Sequence, residues 1–305
     1  MLFGPCLAVA LGVATAGAPG GALQVPASSS IGIVGGQPVE PGEWAFVASL
    51  NFGGSTCTGT LVGPDVVLTA AHCIPANFPP TGVIVKFGSD TRMAEETRFS
   101  VDLAIHPDFC SDTEACLEDV WDFAVVTLDQ PPAGIAPVGV LATQDEWDAA
   151  MYFDAPATLL GFGRDEDGNT GFLRKAETLM SRFSLTGQEF RAGGDGVDSC
   201  LGDSGGPAFV QLPSGEYVLA GVSSRGLDCG EGGFYGVPEP AFCWLNEQTG
   251  LDLSRDSCGP CGCLDTDPTR HGGCEIGPGN QRYGWLVGLL ALVWARRRPV
   301  ARASA

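Results

Sequence analysis

Histidine occurs only three times in 305 residues and lysine only twice. Cations of any kind are scarce: 16 Lys and Arg against 36 Asp and Glu leave a formal net charge of −20. No charged residue precedes Glu40, and Arg282, Arg296, Arg297, Arg298 and Arg302 follow the last acid, Glu275. Between Glu40 and Gln281, eleven cations therefore face all 36 acids. Such a body repels phosphate backbones and anionic lipid, which excludes nucleic acid and a basic membrane patch and leaves cationic partners attractive. Long helical periodicity and internal repeats are also lacking, and no motif calls for an organic cofactor. A metal has little support: adjacent Glu95 and Glu96 fall far short of the roughly seven oxygens that calcium takes.

What is present is apolar surface and cysteine. Apolar side chains make up 44% of the chain, enough for a core, so disorder is not the default. Twelve Cys with 44 Gly and 22 Pro fit a loop-rich, disulfide-bonded chain in an oxidising compartment. Residues 1–22 read as a signal peptide: Leu7 to Ala18 is apolar and small, and Gly20-Gly21-Ala22 suits cleavage after Ala22. Met1 to Pro5 carries no Lys or Arg, so that leader relies on the terminal amine or on residues further upstream.

Residues 23–32 form a short segment without periodicity, read as a propeptide. Beyond it, Phe46–Leu50, Val66–Ala70, Val83–Phe87, Phe123–Leu128, Thr158–Gly161 and Tyr217–Val222 read as strands, each bounded by turn residues. The plausible helices are short, around Thr69–Cys73 and Phe242–Gly250, while Pro79-Pro80 and Pro131-Pro132 punctuate loops. Many short strands with frequent turns predict an all-β fold, either antiparallel barrels or a sandwich, rather than βα units.

Composition shifts again near Arg255. Residues 256–281 are rich in Cys and Gly and read as a linker, and 282–305 read as an anchor or sorting segment. The apolar stretch Tyr283 to Ala295 would span about 20 Å as a helix against a hydrocarbon core of about 30 Å, a marginal membrane span. Cys258, Cys261, Cys263, His271 and Cys274 could be read as zinc ligands, but an exported context favours disulfides, with Cys243 expected to pair into this tail. Removing Cys6 with the leader leaves eleven cysteines and one thiol over.

The scarcity of histidine permits elimination. His106 precedes Pro107 in a loop and His271 lies in the Cys-rich tail, so His72, in Thr69-Ala70-Ala71-His72-Cys73 after an apolar strand, is the candidate general base. Gly202-Asp203-Ser204-Gly205-Gly206-Pro207 supplies a serine nucleophile, its glycines allowing a tight turn whose amides can face a substrate oxygen. The third partner must be a carboxylate that orients the imidazole. Asp122 opens the apolar run Asp122 to Leu128; Asp119 competes, but no strand starts directly after it. Cys110 and Cys116 bracket a five-residue acidic loop just before that strand and are expected to pair.

With these residues in this order, the chain from Ile33 to about Gly250 resembles the trypsin/chymotrypsin family of serine proteases, including Ile33-Val34-Gly35-Gly36 as an activated N-terminus. The resemblance implies two six-stranded β-barrels in a domain of residues 33–255, with the active site in the cleft between them. It implies disulfides Cys57 with Cys73 and Cys200 with Cys229, and an oxyanion hole from the N–H groups of Gly202 and Ser204. Asp198, six residues before the nucleophile, takes the position of the negative pocket floor that selects Arg or Lys, with Gly226 and Gly233 as wall glycines and Ser224 near the triad. The expected partners are therefore polypeptides with Arg or Lys at the cut.

Two positions depart from the family pattern. Arg225 replaces the usual tryptophan after Ser224, which predicts a cleft favouring acidic or polar substrate residues over apolar ones. Gly32 precedes Ile33 where Arg or Lys is usual, so another protease is expected to cut between Gly32 and Ile33, after which the Ile33 amine would pair with Asp203. The C-terminal end, with Gly273-Cys274, a short apolar segment and an arginine cluster, resembles the sorting tags of exported myxobacterial proteins and implies membrane retention through that segment.

Overall fold

A computed structural model of the chain describes residues 33–266, apart from 112–115, 117, 165–167, 227 and 256–258. The expected signal peptide, the propeptide, Cys258, His271, Cys274 and the 282–305 segment lie outside the described residues. Among the described residues no helix is long and apolar enough to cross a membrane.

After a short strand β1 (Gln37–Pro38), six strands close the first barrel. They are β2 (Val47–Asn51), β3 (Thr56–Leu61), β4 (Val66–Thr69), β5 (Ile84–Phe87), β6 (Glu96–Ile105) and β7 (Ala124–Leu128), paired antiparallel in the order β2-β3-β4-β7-β6-β5. The interior is packed by Leu50, Leu61, Leu68, Val85, Phe87 and Val126, all essentially without solvent contact. β4 is buried along its whole length, which is why its run of Val, Val and Leu reads plainly as a strand. β6 keeps its charged residues in a half-exposed wall and offers no such run.

Helix α1 (Gln144–Ala150) links the barrels, and its N-terminus is closed by a capping box between Thr143 and Glu146. The second barrel contains β8 (Pro156–Gly161), β9 (Arg174–Phe183), β10 (Glu189–Ala192), β11 (Pro207–Gln211), β12 (Tyr217–Gly226) and β13 (Gly233–Gly236). The order β9-β10-β13-β12-β11-β8 closes through the β8–β9 pairing, and β1 adds to the outside of β9. Both sheets are thus closed six-stranded antiparallel barrels, and the sandwich alternative is ruled out.

Helix α2 (Phe242–Thr249) follows the second barrel yet packs Phe242, Trp244 and Leu245 against the core of the first. Each such burial contributes on the order of 1.5–3 kcal/mol. Cys243 of α2 is bonded to Cys261, and Cys263 is disulfide-bonded as well. Residues 259–266, read from sequence as part of a linker, lie against the second barrel. Leu264 packs on its core and donates its N–H to Glu239 (2.8 Å), and the Thr266 hydroxyl donates to the Thr186 carbonyl (2.7 Å).

His106 is a structural residue at the seam between the first barrel and α2. It is buried, stacks on Trp121 at 4.7 Å, meets Trp244 at 4.9 Å, and accepts the Asp108 N–H on Nδ1. Burial lowers its pKa, partly offset by the Asp108 charge. The folded chain therefore resists a proton that the unfolded chain accepts near pH 6.5, so this contribution is present above about 6.5 and is lost as pH falls. Replacing His106 with Phe should narrow the acid-side loss: thermal melts from pH 8 to 5 should show the variant losing less stability than wild type, and parallel curves would refute this role.

Candidate active site

His72 sits in a single 3₁₀ turn (Ala71–Cys73) that ends β4, so a fully buried strand delivers an imidazole 35% exposed at the barrel rim. Asp122 lies just before β7, the strand paired with β4. It is buried in a tight turn, where the Phe123 N–H reaches the Trp121 carbonyl (2.8 Å). Trp121 holds φ +52°, uncommon for so bulky a residue, and its indole is fixed by the stack on His106. The carboxylate then collects three donors: His72 Nδ1 (2.7 Å), the His72 backbone N–H (2.9 Å) and the Ser224 hydroxyl (2.7 Å). An ionised carboxylate only accepts, so Nδ1 carries the proton and Nε2 is the basic nitrogen. Asp119, the competing acid, is used elsewhere: its two oxygens take the hydroxyls of Ser184 and Thr186.

Ser204 comes from the other barrel. Its carbonyl accepts the Thr58 N–H (2.9 Å) and lies 3.6 Å from Cys73 Sγ, next to His72. Thr58, on β3, is a residue that sequence reading missed. Its hydroxyl donates to the Gly202 carbonyl (3.0 Å) and accepts the Phe162 N–H (3.1 Å), while its own carbonyl takes the Thr69 hydroxyl (2.8 Å). One side chain of the first barrel thus fastens the nucleophile loop of the second, yet nothing in Cys57-Thr58-Gly59-Thr60 signals it. Gly205 is required beside this clasp, because a Cβ there would lie 2.0 Å from Thr69 Oγ1, on a backbone at φ +75°. Among the described residues, no acceptor takes the N–H of Gly202 or of Ser204.

Disulfides Cys57–Cys73, Cys110–Cys116 and Cys200–Cys229 frame these loops. Asp198, 1% exposed, accepts the N–H groups of Ser199 (2.7 Å) and Gly232 (2.8 Å). Burial raises its pKa despite those bonds. Gly226 and Gly233 are direct partners across β12 and β13, and a Cβ on Gly233 would lie 3.5 Å from the Asp198 carboxylate. Structure thus gathers Asp198, Gly226 and Gly233 at one spot. Asp203 is the most secluded acid: its carboxylate takes the N–H of Gly163 (2.7 Å), Cys200 (2.9 Å) and Ile33, and burial still pushes its pKa up to about 7. Ile33 itself is buried in the second core.

Arg225 corrects one expectation. Its guanidinium is held by both oxygens of Glu189, at 2.8 and 2.7 Å, and lies 4.7 Å over the Phe234 ring. It is therefore not an unbalanced cation waiting for an acidic substrate. Among 36 acids, Glu189 had no pattern to mark it. No group of three or more His, Cys, Asp or Glu among the described residues could hold a metal ion; Glu96 is paired with Arg98.

The family model described as Trypsin matches residues 33–243. The chain is 31% identical over 228 residues to the vitellin-degrading protease of Bombyx mori, covering 68% of this chain and 80% of that protein. It is 34% identical over 253 residues to serine protease 56 of Homo sapiens, covering 74% of this chain and 40% of that one. It is 28% identical over 267 residues to coagulation factor XII of Bos taurus, covering 76% of this chain and 43% of that one. The chain spans less than half the length of the latter two.

The Thr58 clasp predicts a measurable loss. Thr58→Val keeps the shape but leaves the Gly202 carbonyl and the buried Phe162 N–H without this partner, at a cost of about 1–3 kcal/mol, or roughly 2–4 °C in Tm per kcal/mol. Thr58→Ser should recover most of it in thermal melts; equal melting of Val and wild type would refute the clasp.

Proposed function

The chain belongs to the trypsin family of serine proteases and is a trypsin-like serine endopeptidase; on that premise we propose that it is exported, cuts polypeptides after Arg or Lys, and works through Ser204, His72 and Asp122. The observation that carries this reading is the Asp122 carboxylate on His72 Nδ1, with the Ser204 carbonyl 3.6 Å from the neighbouring Cys73 sulfur. Ser204 Oγ attacks the peptide carbonyl carbon while His72 Nε2 takes its proton. The carbonyl oxygen becomes an anion facing the N–H groups of Gly202 and Ser204; losing one such donor costs on the order of 3 kcal/mol. His72 then protonates the leaving amine, and the acyl ester on Ser204 is hydrolysed by a water that His72 deprotonates. Asp122 holds the ring and compensates the imidazolium, and the Ser224 hydroxyl helps hold Asp122.

Selection of Arg or Lys follows from the state of Asp198. A buried carboxylate bonded, among the described residues, only by backbone and hydroxyl donors gains a missing cation when a substrate guanidinium or ammonium enters between Gly226 and Gly233. Disulfides throughout the described chain support export. Tethering through residues 282–305, with or without processing of the tag, rests on the sequence alone.

The alternatives are a catalytically silent binding module and a protease of different preference. Two assays separate all three: a fluorophosphonate probe should label the active protein and not Ser204→Ala, and turnover of an arginine ester should exceed that of a phenylalanine ester. Asp122→Asn should lower kcat on the order of 10⁴-fold. Failure to label would favour the silent module, and a preference for the phenylalanine ester would remove Asp198 from its role.

Activation follows from Asp203. In the uncut chain Ile33 offers that acid only a peptide N–H, and the carboxyl rises to about 7. Cleavage between Gly32 and Ile33 would turn the N–H into an ammonium and supply the charge that burial has withheld. Active protein should therefore begin at Ile33 by N-terminal sequencing, with the uncut chain and Asp203→Asn both strongly impaired. Full activity from material with a different first residue would refute this.

A further inference from the structure

Glu189 opens β10, and only 4% of its side chain reaches solvent. It faces inward for two reasons. Its backbone N–H is held by the Ser184 hydroxyl (3.2 Å), and its Oε1 accepts the Val120 N–H (3.1 Å). Both oxygens then grip Arg225, whose own side chain is 19% exposed and rests on Phe234, its cross-strand partner. A bidentate, largely desolvated pair of this kind is fixed in geometry and carries no net charge.

The location gives the pair its meaning. β12 pairs with β11 only as far as Val222, so among the described residues the stretch 224–226 has a strand partner on one side alone. That open edge borders a cleft lined by His72, Phe109, Ser111, Val120, Ser224 and Arg225. An extended peptide lying along such an edge adds as a strand. Side chains shortly before its scissile bond would then meet Phe109, Val120 and the Arg225–Glu189 pair.

We propose that Glu189 is a specificity-determining residue: by neutralising Arg225 it makes the subsite two to three residues before the cut select uncharged, apolar side chains over acidic ones. This rests on the proteolytic reading above and deepens it by naming a substrate class. Without Glu189, the guanidinium would keep its charge without that bidentate carboxylate and would attract others. With it, a substrate carboxylate gains no net charge there, would lose water against Phe109 and Val120, and approaches a strongly acidic protein.

The test uses two internally quenched peptides with Arg at the cut that differ only in Leu or Asp at those positions, and reads the ratio of their kcat/KM values. Active enzyme in each preparation is counted by fluorophosphonate uptake. Wild type should favour the Leu peptide. Glu189→Gln, which keeps the shape and an acceptor for Val120, should move the ratio toward Asp by about tenfold, equivalent to roughly 1.4 kcal/mol. The shift should shrink in 1 M salt. The double variant E189Q/R225Q, neutral again and free of a stranded charge, should return the ratio to near the wild-type value. That separates charge from general loosening, which the double variant would not repair. A labelled E189Q enzyme with an unmoved ratio, or a double variant that keeps the shift, overturns the role of Glu189 and leaves the protease reading standing. Wild-type protein that neither takes up the probe nor cuts either peptide overturns both.

Discussion

The geometry of the candidate site depends on a few hydrogen bonds across the seam between two closed barrels. His72 and Asp122 belong to the first barrel and are fixed by the β4–β7 pairing, while the Ser204 loop belongs to the second. The six strands of each barrel pair among themselves, so no shared sheet joins the two. Thr58 bridges them with polar groups on its backbone and side chain, all buried. Because those groups have nowhere else to find partners, the clasp is costly to break. Helix α2 adds the apolar counterpart by carrying the end of the second half back onto the first core.

The second organising feature is the treatment of buried acids in a chain already overloaded with negative charge. Asp122, Asp198, Asp203 and Glu189 are all buried, and their compensation is of three kinds. Asp122 has an imidazole, Glu189 has a permanent guanidinium, and Asp198 and Asp203 have only backbone and hydroxyl donors among the described residues. The last two are those that burial pushes upward in pKa. In the proposed function a cation makes up each deficit: the substrate side chain at Asp198 and the freed amine at Asp203. Glu189 works in the opposite sense, since it consumes a cation that would otherwise be displayed.

Legibility in the sequence followed burial. The runs that read as strands, such as Val66 to Ala70 and Phe123 to Leu128, became β4 and β7, buried on both faces. β6 and β9 were missed because solvent on one face lets Thr, Arg, Glu and Asp interrupt the apolar pattern. β3 was hidden by its Thr, Cys and Gly content, although most of it is buried. Helix α1 had a signal that went unread, Thr143 followed three residues later by Glu146. At the site, His72, Asp122 and Ser204 could be singled out because histidine is scarce and the glycine-flanked serine is distinctive. Arg225 could be located but its pairing could not be read, for its partner Glu189 lies 36 residues away.

By itself, the order of residues determined which chemistry was available: one suitable imidazole, a serine in a glycine turn, an acid at a strand start, and enough cysteine to staple exposed loops. Those are properties of residue type and close neighbours, and they survive being read in one dimension. Only tertiary structure put Asp122 rather than Asp119 against His72, gave Thr58 its bridging task, paired Arg225 with Glu189, and sealed Asp203 from water. Each of those outcomes turns on distance and solvent exclusion between segments far apart in the chain, and a hydrogen bond or a desolvated charge has no value until the chain has folded around it.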